Sequence, residues 1–216
     1  PWESALLYAQ VEKTQKENTI GYEAKLKHAK LSYYQGEFLL AEEQLDILKQ
    51  ATTREIANDA IALSLRIKEN LMIDSAAIAL HEYAKVELLL KQNKLSEAFE
   101  KINDIESGRI TIQDSVITFA NYAILDDCYW LKAELYLKQN KPEQALAQYE
   151  KIVAEHFNDV LADDAFFAIG DLYENYFKQP DKAMEQYKNL LIQFPGSVYA
   201  AEARKRFRKL RGDFNQ

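Results

Sequence analysis

The sequence predicts an all-α protein built from consecutive helical hairpins, and three observations support this prediction. Glycine and proline number only 6 and 4 among 216 residues, roughly 5% of the chain against a usual value of roughly 12%. Apolar residues recur at steps of three and four along most of the chain, which is the period of an amphipathic helix. Short polar breaks of similar composition, at 35–37, 92–94, 139–142 and 179–180, separate these stretches. An all-β sandwich or barrel needs more turn residues, so negligible sheet is expected.

The helical pattern indicates ten or eleven helices. Residues Phe38, Ala41, Leu45 and Leu48 illustrate it, because their spacing places all four on one face of a helix. The predicted helices cover about 2–17, 22–35, 38–50, 54–69, 74–92, 95–106, 114–138, 142–156, 161–177, 180–193 and 197–211.

The ends of several helices can also be predicted. Pro142 and Pro180 stand where a helix begins, a position at which the missing proline N–H costs nothing. Ser75, Asp114 and Ser197 are candidate N-cap residues, since a short polar side chain can accept a backbone N–H of the first turn.

Two long segments share one spacing of small and aromatic residues. In each, an aromatic residue is followed four residues later by a small one and seven residues later by a tyrosine, and the next helix carries a small residue and a tyrosine four apart. The residues are Tyr129, Ala133, Tyr136, Ala145 and Tyr149 in the first segment, and Phe166, Gly170, Tyr173, Ala183 and Tyr187 in the second. Small residues allow two helices to approach closely, and the aromatic rings fill the space between hairpins.

This pattern resembles the tetratricopeptide repeat, a helix–turn–helix unit of about 34 residues. The clearest repeats are 79–109, 126–158 and 163–196, a weaker one covers 22–52, and extra helical material is expected near 54–70 and 110–124. The resemblance implies a right-handed α-solenoid that forms a single domain over 1–216, with residues 197–211 as a C-terminal capping helix.

Charge and composition exclude several classes of function. The net charge of −7 disfavours binding to nucleic acid. The longest uncharged run, 115–125, is shorter than the roughly 18 apolar residues that a membrane span requires. A single cysteine cannot form an internal disulfide. Because the chain begins with Pro1 rather than Met, we expect it to be part of a longer or processed protein.

No pattern of catalytic or metal-binding residues is recognisable. His28, His81 and His156 fall in separate repeats, and each is expected to be a surface or partly packed histidine. Cys128 is expected to be a buried, inert thiol beside two acidic residues. Adjacent carboxylates such as Asp163 and Asp164 point about 100° apart on a helix, so they favour a helix N-terminus rather than a shared substrate. The sequence therefore predicts no enzyme, no cofactor and no metal.

The resemblance to the tetratricopeptide family implies a concave groove lined by the first helix of each hairpin. An aromatic residue with one or two acids recurs there, a composition suited to a peptide partner, and the acids favour a basic or amine-rich one. The alternative is that the aromatic rings only pack between hairpins. The candidate groove residues are Tyr83, Glu87, Leu90, Trp130, Glu134, Leu137, Phe167, Asp171 and Glu174.

The C-terminal helix is strongly basic and amphipathic. Tyr199, Ala203, Phe207 and Leu210 form an apolar stripe, and six lysine and arginine residues between 204 and 211 are predicted to take the opposite face. This arrangement favours capping of the last hairpin. The alternative is a helix that binds anionic lipid or nucleic acid.

The predicted function is therefore a non-enzymatic scaffold or adaptor that holds a partner protein or peptide. An alternative is an assembly or self-association module of a larger protein. The segment 193–203, with Phe194, Pro195, Gly196 and Ser197, is similar to repeat ends of bacterial envelope tetratricopeptide proteins. That resemblance implies a periplasmic location, with the cytoplasm as the alternative, and leaves the partner and the oligomeric state open.

Overall fold

The protein is described by a computed structural model covering residues 2–16, 18–50, 53–73, 76–112 and 115–213. These residues form eleven helices and one β-hairpin. The helices are α1 (Trp2–Thr14), α2 (Thr19–Tyr34), α3 (Phe38–Leu48), α4 (Arg54–Ile73), α5 (Ile78–Lys91), α6 (Leu95–Ser107), α7 (Tyr122–Lys138), α8 (Pro142–Glu155), α9 (Ala162–Asn175), α10 (Pro180–Gln193) and α11 (Ala200–Arg211). The predicted all-α class of repeated hairpins with a C-terminal capping helix is confirmed.

The chain divides into two compact units, Pro1–Ile124 and Leu125–Gln216. In the first unit, α1 packs on α2, α2 on α3, α3 on α4, and α5 on α6. Its core contains fully buried residues from each of the helices α2 to α6. Examples, one from each helix, are Tyr33, Leu45, Ile67, Leu80 and Ile102. That this chain is a single domain stays a prediction.

In the second unit, α8 packs on α9, α9 on α10, and α10 on α11. One core cluster joins α7, α8 and α9 through residues such as Tyr129, Tyr149 and Ile169. A second cluster joins α9, α10 and α11 through Phe166, Tyr187 and Ala203. The second cluster shows that α11 covers the last hairpin, as a capping helix does.

Among the described turns, those that join α2 to α3, α5 to α6, α7 to α8 and α9 to α10 each contain a residue in the left-handed conformation. Gly36, Asn93, Asn140 and Lys178 have φ values of 81°, 60°, 58° and 54°, a conformation that closes a helix C-terminus. In the first three turns, the N–H of the following residue bonds to a carbonyl five residues back, with N···O distances of 2.9 Å. At Lys178 the corresponding bond, from Gln179 to Tyr173, spans six residues. That wider turn accommodates one extra residue, since Ala183 follows Tyr173 by ten positions whereas Ala145 follows Tyr136 by nine.

The proline prediction is confirmed, because Pro142 and Pro180 are the first residues of α8 and α10. The cap prediction for Ser197 is wrong. The N-cap of α11 is Tyr199, and the Ser197 hydroxyl instead accepts the Tyr199 N–H at 3.1 Å, one turn before the helix. The other two candidate caps, Ser75 and Asp114, lie outside the described residues.

The prediction of helical material at 110–124 is wrong except at its end, and the helix predicted at 114–138 begins only at Tyr122. Arg109–Ile112 and Ser115–Thr118 form the antiparallel strands β1 and β2, with Arg109 opposite Thr118 and Ile112 opposite Ser115. Gly108 ends α6 with a left-handed φ of 63°, and the residues that follow are rich in isoleucine, valine and threonine, which favour strands. Ile110 is buried and Val116 is exposed, so the hairpin has a buried and an exposed face. Negligible sheet was therefore too strong an expectation.

We expect Gly170→Ala to lower the free energy of unfolding of the second unit by about 1–3 kcal/mol, the usual cost of overpacking a well-filled core. A Cβ at Gly170 would lie 2.5 Å from the buried Tyr187 ring. Gly196→Ala is the matched control, because nothing lies within 4 Å of a Cβ at that position. Urea unfolding of both variants checks this, and equal stabilities would show that the two helices separate freely.

Candidate partner-binding surfaces

A groove of about 580 Å³ lies in the first unit, between α1, α2, α4 and α5. Its floor is apolar: Leu26 and Ile56 are buried, and Leu31 and Leu88 are half-buried. The α2 residues that line it recur at steps of three and four, so they share one face of that helix. The full lining is Ser4, Tyr8, Thr19, Glu23, Leu26, Lys27, Lys30, Leu31, Tyr34, Thr53, Glu55, Ile56, Asp59, Leu88 and Lys91.

The rim of this groove carries charges of both signs. Lys27 and Lys91 are exposed and positively charged, and Glu23 and Glu55 are exposed and negatively charged. Lys30 Nζ lies 2.7 Å from Asp59 Oδ2, an ion pair that links α2 to α4. The groove therefore offers apolar contact at its floor and charged contacts of either sign at its edge.

A smaller cleft of about 230 Å³ shares Lys30, Tyr34, Asp59 and Lys91 with the groove and also takes in Glu87. Arg66 Nη1 lies 3.4 Å from Glu87 Oε1, which connects α4 to α5. Burial, and to a lesser degree the charge of Glu87, raises the pKa of Tyr34 to about 12. Tyr34 is therefore a neutral hydroxyl between the two openings at physiological pH.

The predicted groove residues of α5 differ in their accessibility. Tyr83 is only 3% exposed, and the Arg66 guanidinium lies over its ring at 5.1 Å. Glu87 lines the smaller cleft. On α5, Leu88 and Lys91 line the larger groove, whereas Leu90 is half-buried.

On α7, the three predicted residues lie at different depths. The Trp130 indole is half-buried and packs on the Tyr149 ring, with 4.9 Å between ring centroids. Leu137 is half-buried against the same core cluster. Glu134 is exposed. The α7 face thus offers an exposed carboxylate about one helical turn from a half-buried tryptophan.

On α9, the capping helix α11 contacts all three predicted residues. Tyr199 stacks on Phe167 with 4.6 Å between centroids and 18° between ring planes. The Arg206 guanidinium lies over the Phe167 ring at 5.0 Å. Arg206 also forms ion pairs with Asp171 and, at 3.6 Å, with Glu174.

Arg206 is the centre of a polar network between α9, α10 and α11. Its guanidinium donates to Glu202 at 3.2 Å and to the Tyr187 hydroxyl at 3.2 Å, and that hydroxyl donates to Glu174 at 2.8 Å. Burial disfavours the Arg206 charge, but hydrogen bonds to Asp171, Tyr187 and Glu202 outweigh burial and raise its pKa.

The prediction that all six basic residues of α11 face away from the apolar stripe is therefore wrong for Arg206. Residue 206 follows Ala203 by three positions and Tyr199 by seven, which places it on the packed side of the helix. Arg204, Lys205, Arg208, Lys209 and Arg211 are exposed, as predicted.

The two adjacent acids of α9 lie in its first turn, as predicted. The Asp164 carboxyl interacts with the Tyr199 hydroxyl, which opposes the larger effect of burial on the Asp164 pKa. Burial raises the pKa of Asp164 to about 6, and the charge of Asp163 adds to this effect. Asp164 is consequently a second contact between α9 and the segment that opens α11.

The histidines have three different environments. His28 Nδ1 lies 2.9 Å from Glu12 Oε1, and His81 packs on Phe38 with 4.6 Å between ring centroids. His156 is only 1% exposed, more buried than the sequence predicted. Its Nδ1 lies 2.6 Å from Asp159 Oδ2. The Cys128 thiol is buried, as predicted.

Comparison with known proteins identifies two repeats in the second unit. The family model of the tetratricopeptide repeat matches residues 127–156 and 164–197, which correspond to the α7–α8 and α9–α10 hairpins. No curated protein matches the chain. Tetratricopeptide repeats generally mediate contacts between proteins, which supports an interaction role. None of the described helices is long and apolar enough to cross a membrane.

We expect Arg206→Gln to lower the free energy of unfolding by about 1.5–3 kcal/mol, the usual size of a hydrogen bond to a charged group. The change removes the cation that joins Asp171 and Glu174 to α11. Arg208→Gln is the matched control, since Arg208 is exposed and surface changes usually stay within about 0.5 kcal/mol. Denaturant unfolding measures both, and similar losses would contradict a central role for Arg206.

The raised pKa of Asp164 predicts a pH dependence of stability. The folded state holds this proton up to about pH 6, whereas an unfolded aspartate releases it near pH 4. The contribution to stability is therefore complete below about pH 4 and is lost as the pH rises through about 6. Asp164→Asn should make the midpoint of urea unfolding less dependent on pH between about 4 and 6. Asp181→Asn, an exposed first-turn acid of α10, should leave it unchanged, and a profile equally steep in Asp164→Asn would assign the slope elsewhere.

Proposed function

We propose that this chain is a non-enzymatic protein-interaction module that holds a segment of a partner protein in the groove of its first unit. The observation that carries the proposal is the groove itself, with a volume of about 580 Å³. That volume falls in the range of sites that bury a ligand or several side chains. Leu26, Ile56 and Leu88 provide an apolar floor, so the partner segment should insert at least one apolar side chain.

The charged rim supports recognition of a polypeptide rather than a purely apolar molecule. Lys27 and Lys91 can pair with acidic groups on the partner, and Glu23 and Glu55 with basic ones. Charge pairs at a rim contribute more to specificity and association rate than to affinity. The proposed partner therefore combines an apolar anchor with flanking charges of both signs.

The candidate residues of the second unit are proposed to play unequal parts. Glu134 is exposed on α7 and remains open to a basic partner. Asp171 and Glu174 are paired with Arg206, and Phe167 is covered by Tyr199 and Arg206. A basic partner is thus favoured by Glu134 rather than by the acids of α9, since Glu87 is paired with Arg66.

A second candidate function is self-association, supported by an exposed apolar stripe on α4. Ile61, Leu65 and Met72 are 41%, 44% and 86% exposed, and their spacing of four and seven puts them on one face of the helix. An apolar stripe of this kind can pack against a second helix. The self-association module considered above would use this face.

The α11 cations give less support to binding of anionic lipid or nucleic acid. Arg206 is engaged with α9, Lys205 lies 3.6 Å from Glu202, and Arg211 pairs with Asp213. The apolar stripe packs on the last hairpin, which leaves little apolar surface to enter a membrane. Capping accounts for these contacts.

The proposed location is the bacterial cell envelope. It is supported by the similarity of residues 193–203 to the repeat ends of envelope tetratricopeptide proteins.

The test reverses two rim charges, Lys27→Glu and Lys91→Glu, in one variant. Both side chains are exposed, so the melting temperature should change little. We expect capture of partner proteins from the native source, measured by quantitative mass spectrometry, to fall at least tenfold because like charges now face the partner at the rim. Lys188→Glu, an exposed lysine of α10, is the matched control and should leave capture unchanged.

Two outcomes would overturn the groove proposal. Equal capture by the reversal variant and the wild type would show that the groove is not the binding surface. If the chain mainly captured further copies of itself, and the charge reversal did not change that amount, self-association through α4 would be favoured instead.

A further inference from the structure

One imidazole and two carboxylates meet at the end of the α7–α8 hairpin. Asp126 lies near the start of α7, His156 directly follows α8, and Asp159 lies in the connection to α9. One potential ligand atom from each residue lies within 4.8 Å of those of the other two. Asp126 is 7% exposed and His156 is 1% exposed, whereas the Asp159 side chain is 30% exposed.

The backbone holds these groups in place. The His156 N–H bonds to the Ile152 carbonyl at 2.9 Å, and the Asp159 N–H bonds to the His156 carbonyl at 3.0 Å. These two bonds form a turn that presents both side chains on the same side. The imidazole ring also packs edge-on against Tyr129, with 5.9 Å between ring centroids. Asp126 Oδ1 accepts the Asp127 N–H at 2.9 Å.

The charge of the cluster suits a dication. Two carboxylates and a neutral imidazole carry a charge of −2, and a protonated imidazole still leaves −1. A divalent metal balances the charge of two carboxylates, and both oxygen and nitrogen donors are present. This mixed set of donors, drawn from two separate chain segments, differs from a cluster of surface acids.

The donor types indicate which metal is suitable. Imidazole nitrogen is a preferred ligand of zinc and neighbouring transition metals, whereas calcium and magnesium take oxygen ligands almost exclusively. Zinc accepts histidine and aspartate at about 2.0–2.2 Å, with three protein ligands and a water as one common arrangement. The partly exposed Asp159 side chain marks the side from which that water can reach the metal.

We propose that Asp126, His156 and Asp159 bind one divalent transition-metal ion of the zinc type. Ligand atoms around a tetrahedral zinc lie roughly 3.4 Å apart, given bonds of about 2.0–2.2 Å. His156 Nδ1 and Asp159 Oδ2, now 2.6 Å apart, would separate by less than 1 Å, and their hydrogen bond would give way to metal–ligand bonds. The ion would clip the end of α8 and the α8–α9 connection to α7.

The proposal is independent of the groove and of the partner. Its consequence is structural: a metal that binds the folded state stabilises it in proportion to the free metal concentration and its affinity. The affected point lies between the two repeats of the second unit, because the α8–α9 connection joins one hairpin to the next.

The test titrates Zn²⁺ into metal-free protein by isothermal calorimetry. We expect one ion per chain with a dissociation constant of micromolar or tighter, and at least tenfold weaker binding for Asp159→Asn and for His156→Gln. Asp159→Asn is the informative variant, because its side chain is partly exposed and the fold should persist. Circular dichroism, and the melting temperature measured in the presence of a chelator, verify that both variants are folded before titration.

Two control variants separate this site from other metal-binding side chains. His28→Gln removes a histidine that also lies beside one carboxylate, Glu12, and Cys128→Ala removes the single thiol; both should keep wild-type zinc binding. Zinc should also raise the melting temperature of the wild type reversibly, and raise that of Asp159→Asn much less. Failure to bind near one ion per chain, or equal losses in Asp159→Asn and His28→Gln, would overturn the proposal, as would loss only in Cys128→Ala.

Discussion

The close approach of paired helices at small residues is the constraint on which the second unit depends. Gly170 leaves room for the Tyr187 ring, which is fully buried against it. Ala133 and Ala145 make the equivalent approach in the preceding hairpin, and both are completely buried. A larger residue at any of these positions would push the helices apart, and dispersion contacts fall off within 1 Å of added separation.

This approach also determines how α11 is held. The Tyr187 ring lies against the Gly170 position, and its hydroxyl reaches Glu174 and meets Arg206. Arg206 then covers Phe167, and Tyr199 stacks beside it. A capping helix with many exposed cations is thus anchored by one inward-facing arginine and one tyrosine. The acids of α9, which resemble a partner-binding surface in sequence, serve an internal contact, so the exposed candidates for partner binding lie on α7 and in the first unit.

Much of the fold could be predicted because it depends on local spacing. The helical stripes, Pro142 and Pro180 at helix starts, and the turns at Gly36, Asn93 and Asn140 are all read within a few residues. The segment 109–118 was predicted wrongly although its own residues favour strands. Isoleucine and threonine alternate there from Ile110, two residues after Gly108, but a short apolar run between helical segments fits a helix face equally well.

The site features were harder to predict because they depend on which elements meet. His156 and Asp159 stand three residues apart, a spacing that could have drawn attention to them, but Asp126 lies thirty residues earlier and joins them only because α7 and α8 are antiparallel. Arg206 differs from its basic neighbours only in helical phase. The predicted apolar stripe of α11 includes only apolar residues, so it leaves Arg206 out. An arginine combines a long apolar stem with a planar cation that stacks on aromatic rings, so it can occupy a core-facing position that hydropathy assigns to solvent. Helical phase is therefore a better guide than residue polarity to the direction in which such a side chain points.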